Sequence, residues 1–197
     1  MLWRLTIGAI ALLLSGSVRA ACERPQIHIN KSQGKLLLAC DGRPRLTIDA
    51  TFGLHPKGHK QRSGDERTPE GVYRICERHR SKKHYLFFGL DYPRPADAER
   101  GLAAGLISKR QYQAIIRAHQ RGRCPPWGTR LGGAIGIHGV NAERAWLARA
   151  WQKVSRIGKL HRNVGFTDGC ILIDNDATTL LWQATRVGTP VVIHPQR

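Results

Sequence analysis

The chain has 197 residues, which is enough for one domain with a hydrophobic core, and it carries a formal net charge of +18. Its basic residues are scattered and no known nucleic-acid-binding motif occurs, so the sequence argues against a nucleic-acid-binding protein. No CxxC pair occurs, which excludes a thioredoxin-like motif and a four-cysteine zinc site. The charge either attracts the protein to a polyanionic wall or membrane surface or only keeps it soluble.

Residues 1–20 have the pattern of a secretory signal peptide. A positive start and an apolar run over residues 5–14, too short to span a bilayer, lead to small residues that end at Ala20. We expect cleavage after Ala20, with residues 21–197 as the mature domain, and an uncleaved anchor is the alternative. Lipidation of Cys22 is disfavoured because no aliphatic residue stands three positions before it. The signal predicts a location in the periplasm or cell envelope.

The chain contains five cysteines. In an oxidising compartment four of them would pair and one would be left over. Cys22 and Cys40 flank a predicted hairpin, which favours a Cys22–Cys40 disulfide and leaves Cys76 with Cys124. Cys170 is then expected to keep its thiol, because its neighbours are glycine and polar residues.

The first half of the chain has the pattern of short β-strands. Strands are predicted at residues 26–30, 35–39, 45–50, 71–76 and 84–90. The first three favour an antiparallel β start, and a glycine-rich basic loop over residues 52–65 follows them.

The second half alternates helical and strand patterns. Helices are predicted at residues 96–104, 142–157 and 176–187, and another begins at an N-cap, Ser108, and ends by Gly122. His119 lies on the apolar face of that helix and is expected to be a packed core histidine. Short strands are predicted around His138 and at residues 191–194. Together the elements predict one mainly β domain with flanking helices, of the α+β class.

Two separate segments carry a thiol and an imidazole. Cys170 follows a glycine and precedes an apolar triplet, and His138 ends the apolar run over residues 135–138. This pattern is typical of a Cys/His nucleophilic site whose members meet in space. A cysteine with a pKa near ~8.5 needs a base to become a thiolate at neutral pH, and His138 is the candidate base. The alternative is that Cys170 is a buried, inert thiol.

The neighbours of these two residues suggest supporting roles. A backbone carbonyl at Gly139 or Val140 would fix the tautomer of the imidazole, and backbone N–H groups around Gly169 would bind an oxyanion. Thr167 and Asp168 add a hydroxyl and a carboxylate. Asp168 is expected to orient the loop, because a carboxylate beside a thiolate would oppose its ionisation. The remaining histidines have no metal-ligand spacing, so neither a metal nor a cofactor is expected.

These residues resemble the L,D-transpeptidase catalytic domain family of the YkuD type. Its signature is similar to a His-Gly strand end followed by Ser/Thr-x-Gly-Cys-Ile, which here corresponds to His138-Gly139 and to residues 167–171. Further similar segments are residues 57–61, 64–71 and 187–193. The similarity therefore extends over nearly the whole mature chain, from about residue 26 to residue 195.

The resemblance implies a β-sandwich-like domain with Cys170 as the acylated nucleophile and His138 as its base. Around these two residues, Gly169, Asp168, Thr167 and Gly139 are our candidates for the oxyanion site and for the outer layer of residues that supports it, with Asp168 in the outer layer. The implied substrate is a peptidoglycan stem tetrapeptide, attacked between its third residue, commonly diaminopimelate, and the terminal D-Ala. The acyl acceptor would be the amine of a second stem or a lysine of a wall-anchored protein. We expect a monomer.

The chain departs from the family pattern at two positions. Asp168 stands where many members have His, and Leu172 stands where many have Arg. Between the two halves of the signature lies an insertion that contains His161 and Arg162. These two residues, together with Tyr92, are candidate contacts for the substrate, and solvated surface is the alternative for the pair.

Three functions are consistent with the sequence. The first is a transpeptidase that cross-links or remodels the cell wall. The second is an L,D-carboxypeptidase or amidase in which water resolves the same acyl-enzyme. The third is a wall-binding domain that has kept the fold without the chemistry.

Overall fold

Eight strands in one mixed sheet form the framework of the domain. The computed structural model describes residues 22–82, 84–140 and 167–196. In chain order the strands are β1 (Pro25–Asn30), β2 (Lys35–Cys40), β3 (Arg43–Asp49), β4 (Gly71–Ser81), β5 (Tyr85–Leu90), β6 (Gly136–His138), β7 (Ile171–Leu172) and β8 (Pro190–His194). The helices of the described ranges are α1 (Pro95–Ala103), α2 (Lys109–Gln120) and α3 (Asn175–Ala184). Across the sheet the strand order is β3-β2-β1-β8-β4-β5-β6-β7.

Three sequence-based predictions fall outside the described residues. They are the signal segment, the helix over residues 142–157, and the pair His161 and Arg162. None of the helices in the described part of the chain has the length and apolarity needed to cross a bilayer.

The antiparallel start predicted from the sequence is confirmed. β1 pairs with β2 and β2 with β3, both antiparallel. Ile27 and Ile29 of β1 are fully buried beside Leu36 and Leu38 of β2, while the residues between them are partly exposed. This alternation places the apolar face of the hairpins against the core.

The middle of the sheet is formed by β8, which is distant in sequence from both of its neighbours. Val191 pairs with Ile27 of β1 in a parallel ladder and with Tyr73 of β4 in an antiparallel one. β8 therefore joins the N-terminal hairpins to the half of the sheet that holds the candidate site.

The sheet curls until its two ends meet. Thr51, just after β3, forms an isolated antiparallel bridge with Leu172 of β7, and each donates its backbone N–H to the other, at N···O distances of 3.0 and 2.9 Å. One continuous core fills the interior, with residues from β1 and β2 packed in the same cluster as Ile171 and Ile173. The predicted mainly β, single-domain fold is confirmed, and the sandwich-like form is one sheet folded over its own core.

Helices α1 and α2 form a pair beside the sheet. The Ser108 hydroxyl accepts from the backbone N–H of Gln111 at 3.2 Å, and the Gln111 side chain accepts from the Ser108 N–H at 2.9 Å. This reciprocal capping explains why α2 begins where the sequence predicts. His119 is half-buried and its Nε2 lies 2.8 Å from the Pro93 carbonyl, as expected for a packed histidine.

Two disulfides are present and they have the predicted pairing. Cys22 and Cys40 have Cα atoms 5.2 Å apart, and the Cα atoms of Cys76 and Cys124 are 5.1 Å apart. Cys170 belongs to neither bridge. Cys76–Cys124 links the long strand β4 to the segment after α2, so it ties the helical pair to the sheet.

Replacing both Cys76 and Cys124 with Ser should lower the free energy of unfolding by about 2–4 kcal/mol, because the bridge restricts the unfolded chain. The sequence separation is 48 residues for this bridge and 18 for Cys22–Cys40. Removing the longer loop should therefore cost about 1 kcal/mol more than removing the shorter one. Urea titrations of the two double variants measure this difference. A larger loss from the Cys22–Cys40 bridge would contradict the loop-length argument.

Candidate active site

The thiol of Cys170 is carried by a tight loop, residues 167–170, which we call the cysteine loop. Gly169 has φ +122°, and a Cβ there would lie 2.3 Å from the Arg67 carbonyl oxygen. Only glycine adopts this conformation so close to another backbone. Cys170 follows it, half-buried, directly before β7.

Hydrogen bonds within and around the cysteine loop fix its shape. The Thr167 hydroxyl donates to the Cys170 carbonyl at 2.8 Å, and the Gly169 N–H lies 3.4 Å from the Thr167 hydroxyl oxygen. The Cys170 thiol donates to the Ala134 carbonyl at a Sγ···O distance of 3.4 Å. The side chain of Asp168 is exposed, so this residue contributes to the loop through its backbone.

The buried ammonium group of Lys60 donates a hydrogen bond to the backbone of the cysteine loop. Lys60 is 2% exposed, and its Nζ donates to the Asp168 carbonyl at 3.1 Å and to Asp65 Oδ1 at 2.7 Å. Asp65 also accepts backbone N–H groups from Gln61 at 2.6 Å and Arg62 at 3.1 Å. Burial alone would raise the pKa of Asp65, but Lys60 and the backbone donors outweigh it and hold that pKa below its ordinary value.

His138 ends β6 and is 5% exposed. Its Nδ1 lies 2.7 Å from the Gly139 carbonyl oxygen, which can only accept, so Nδ1 carries the proton. Nε2 then holds the lone pair that a general base needs. The sequence predicted a carbonyl at Gly139 or Val140 for this purpose, and the structure places Gly139 there.

Strand pairing brings together the segments that carry the imidazole and the thiol. β6 and β7 are parallel neighbours, and His138 pairs with Leu172. Cys170 stands two positions before Leu172, directly before the first residue of β7. The segments that carry His138 and Cys170 therefore lie next to each other, although they are well separated in sequence. The catalytic roles of the two residues stay predictions.

Aromatic side chains that the sequence analysis did not single out surround the imidazole. The ring of His84 lies 4.2 Å from that of His138, centroid to centroid, and Phe87 stacks on His138 at 6.3 Å. His84 sits in the turn between β4 and β5. Tyr85, the next residue, is tied to α3 by a 3.0 Å hydrogen bond between its hydroxyl and that of Thr179. No spacing in the sequence connects His84 to His138, because the contact depends on the pairing of β5 with β6.

The sequence profile of the L,D-transpeptidase catalytic domain family matches residues 24–193. The chain belongs to this family. The match covers every strand from β1 to β7, all of β8 except its last residue, and the segments that carry Cys170 and His138. No curated protein matches this L,D-transpeptidase family member in sequence.

Solved structures share its fold. The helical cell shape determining protein Pgp2 from Campylobacter jejuni has a TM-score of 0.53 at 17% identity, covering 88% of this chain and 48% of that one. Bd1075 from Bdellovibrio bacteriovorus has a TM-score of 0.51 at 20% identity, covering 87% and 49%. The L,D-transpeptidase from Xylanimonas cellulosilytica DSM 15894 has a TM-score of 0.48 at 15% identity, covering 89% and 62%. The chain thus spans between about half and three-fifths of these proteins.

The position of Tyr92 corrects one sequence-based assignment. Its side chain is fully buried, and its hydroxyl donates to the Leu131 carbonyl at 3.0 Å. Burial, together with the charges of Asp97 and Asp65, raises the pKa of Tyr92 far above its ordinary value. Tyr92 has no surface on which to meet a substrate, so it is a core residue of this L,D-transpeptidase domain and not a substrate contact.

In the described ranges, no three His, Cys, Asp or Glu side chains are grouped to hold a metal ion.

Asn175 holds the backbone that orients His138. Its Oδ1 accepts from the Val140 N–H at 2.8 Å, and its Nδ2 donates to the Val140 carbonyl at 2.9 Å. A Cβ at Gly139 would lie 2.3 Å from Asn175 Oδ1, so the amide can approach only because residue 139 is glycine. Asn175 therefore positions the Gly139 carbonyl, which in turn fixes the imidazole.

Replacing Asn175 with Asp should slow the alkylation of Cys170 by iodoacetamide about tenfold, because a carboxylate cannot donate to the Val140 carbonyl and the lost bond is worth about 1–1.5 kcal/mol. Asp176→Asn is the matched control, since Asp176 is exposed on the next position of α3. The pH dependence of the alkylation rate should shift in Asn175→Asp and stay unchanged in the control. Equal rates and equal pH profiles in both variants would rule out a positioning role.

Proposed function

We propose that this chain is a cysteine L,D-transpeptidase that acts on peptidoglycan stem peptides through an acyl-thioester on Cys170. The observation that supports the proposal is the pairing of β6 with β7, because it sets the strand that ends at His138 beside the strand that directly follows Cys170. The Gly139 carbonyl already holds His138 in the required tautomer. Family membership supplies the substrate class.

The acylation step follows from this geometry. Nε2 of His138 takes the thiol proton, and the thiolate attacks the carbonyl carbon between the third residue and the terminal D-Ala of the stem. Backbone N–H groups around Gly169 and Cys170 are the candidate donors to the resulting oxyanion. When the C–N bond breaks, His138 returns the proton to the leaving amine, so that D-Ala departs and a thioester remains on Cys170.

The second step transfers the acyl group. An acceptor amine attacks the thioester carbonyl, His138 takes a proton from the amine, and the thiolate leaves as the new amide forms. With water in place of the amine, the product is a carboxylate and the enzyme is an L,D-carboxypeptidase. A wall-anchored protein that offers a lysine is a further acceptor within this proposal.

We also propose that the protein works in the periplasm or cell envelope as a monomer and that residues 1–20 are its cleaved signal peptide. Cleavage would remove Arg4 and Arg19 and leave a net charge of about +16, which fits this location because nonspecific attraction would concentrate the protein at an anionic wall.

The test is incubation of the purified protein with a carbapenem and, separately, with the stem tetrapeptide. A mass increase on Cys170 that is lost in Cys170→Ala supports the acyl-enzyme. Cross-linked dimer then identifies a transpeptidase, and tripeptide alone identifies a carboxypeptidase. Sedimentation with sacculi without any adduct or product would overturn the enzymatic proposal in favour of a wall-binding domain.

A further inference from the structure

An open cavity of about 580 Å³ lies between the loop that precedes β4 and the turn that joins α1 to α2. Arg62, Arg67 and His55 line it from the loop that precedes β4, and Ala104 and Leu106 line it from the turn between α1 and α2. We call it the arginine cavity. Its volume is within the range of ligand-binding sites, roughly 300–1,000 Å³.

Arg67 belongs to both the arginine cavity and the surroundings of the cysteine loop. Arg67 lines the cavity, and its carbonyl oxygen is the atom that a Cβ on Gly169 would meet at 2.3 Å. Asp65 also lines the cavity, and its partner Lys60 donates to the Asp168 carbonyl. The segment of Asp65 and Arg67 therefore contacts the cysteine loop and also lines the cavity.

The side chains around the cavity carry a net positive charge. Asp65 is neutralised by Lys60. Glu66 lies 3.2 Å from His55, and its single negative charge is outnumbered by the two arginines. Within the described ranges, the guanidinium groups of Arg62 and Arg67 form neither a hydrogen bond nor a salt bridge.

Two arginines of α1 and its N-terminus, by contrast, are paired with carboxylates. Arg94 bonds Asp91 at 2.9 Å, and Arg100 bonds Asp97 at 2.9 Å. Arg62 and Arg67 line the cavity without a carboxylate partner. Such guanidinium groups are suited to bind carboxylates, because the guanidinium fork matches the geometry of a carboxylate.

We propose that the arginine cavity binds the carboxylates of the stem peptide that donates the acyl group, with Arg62 and Arg67 as the contacts. This inference rests on the proposed function and adds the group that is recognised. The donor carries one carboxylate on its terminal D-Ala and, where the third residue is diaminopimelate, another on that side chain. Both belong to the two residues that flank the scissile amide, and an extended residue spans at most about 3.6 Å, so both reach a neighbouring cavity.

Binding without chemistry tests the inference. The tetrapeptide is titrated into Cys170→Ala by calorimetry, in its free form and in two forms with either the diaminopimelate or the D-Ala carboxylate amidated. Adding Arg62→Gln and Arg67→Gln should weaken binding of the free peptide roughly tenfold to a hundredfold, the range for hydrogen bonds between charged groups. At least one amidated peptide should lose most of this dependence, which identifies the carboxylate. Affinity for the free peptide should also fall as salt is raised.

Arg117→Gln on the exposed face of α2 is the matched control and should leave binding unchanged. Arg62→Gln alone, at an exposed position, serves if the double variant fails to fold. No measurable binding of the free peptide, or equal affinity with and without the two arginines, would overturn the inference. Arginine-dependent binding without any turnover by the unaltered protein would instead overturn the proposed function and leave the inference standing.

Discussion

Replacing His138 with Gln should slow acylation of Cys170 by about 10²–10⁴-fold, the usual contribution of a positioned general base. Gln keeps a side chain of similar length that can still donate to the Gly139 carbonyl, so the fold of the 5% exposed site is retained. What is lost is the Nε2 lone pair that takes the thiol proton. The measurement is the rate of covalent modification by a carbapenem, followed by mass spectrometry at saturating reagent.

His119→Gln is the control for a packed histidine outside the site. It should acylate at the rate of the unaltered protein, because His119 bonds the Pro93 carbonyl beside the helical pair. If His138→Gln acylated at an undiminished rate while remaining folded, another group would have to be the base. His84, whose ring lies 4.2 Å from that of His138, would then be the first residue to replace.

Replacing Lys60 with Met should lower the free energy of unfolding by about 3–5 kcal/mol, since removing one partner of a buried ion pair leaves a buried charge uncompensated. The remaining charge is Asp65, and the Asp168 carbonyl loses its donor at the same time. We therefore expect the cysteine loop to lose its fixed position and acylation to fall with stability. Urea unfolding at pH 7 measures the first effect, and carbapenem acylation the second.

Lys35→Met is the matched control, because Lys35 pairs with Asp49 at 2.6 Å on the surface, where the two side chains are 44% and 58% exposed. A solvent-exposed pair of this kind is worth about 0–1 kcal/mol. If Lys60→Met and Lys35→Met lost equal amounts of unfolding free energy, burial would not be the reason for the stabilising effect of the Lys60–Asp65 pair.

The same pair gives stability a defined pH dependence. The folded state lowers the pKa of Asp65 below its ordinary value of 3.8. Its contribution to stability is therefore complete above the unfolded pKa and is lost as pH falls through the lower, folded pKa. Lys60→Met should show a shallower loss on acidification than the unaltered protein. Lys60→Met should still lose some stability on acidification, because Asp97 also has a lowered pKa in the folded state. Burial alone would raise the pKa of Asp97, but its bonds to His59, Arg94 and Arg100 outweigh burial.

The parts of the fold that depend on neighbouring residues could be predicted from the sequence. The hairpins of β1, β2 and β3 follow from alternation and short turns, and α2 follows from the cap at Ser108. The position of β8 between β1 and β4 could not be predicted, because the local sequence of a strand does not indicate which distant strands it will pair with. The parallel pairing of β6 with β7 was beyond local patterns for the same reason.

The candidate site likewise contains residues that could be predicted from the sequence and residues that could not. Cys170, His138 and the Gly139 carbonyl belong to short motifs whose chemistry is visible in the sequence. Lys60 and Asn175 act through backbone groups far along the chain, so their residue types alone carried no signal. Tyr92 was predicted to contact the substrate, because the residues next to it in the sequence do not indicate whether it is buried. In the structure it belongs to the main hydrophobic core, and its hydroxyl donates to the Leu131 carbonyl.

The position of β8 in the middle of the sheet also determines when the sheet can fold during synthesis. The strand at residues 190–194 must be synthesised before β1 and β4 can be joined through it. A nascent chain lacking it on the ribosome holds two incomplete half-sheets, one with the first hairpins and the other with the thiol and imidazole. The complete sheet can therefore form only after elongation has passed residue 194.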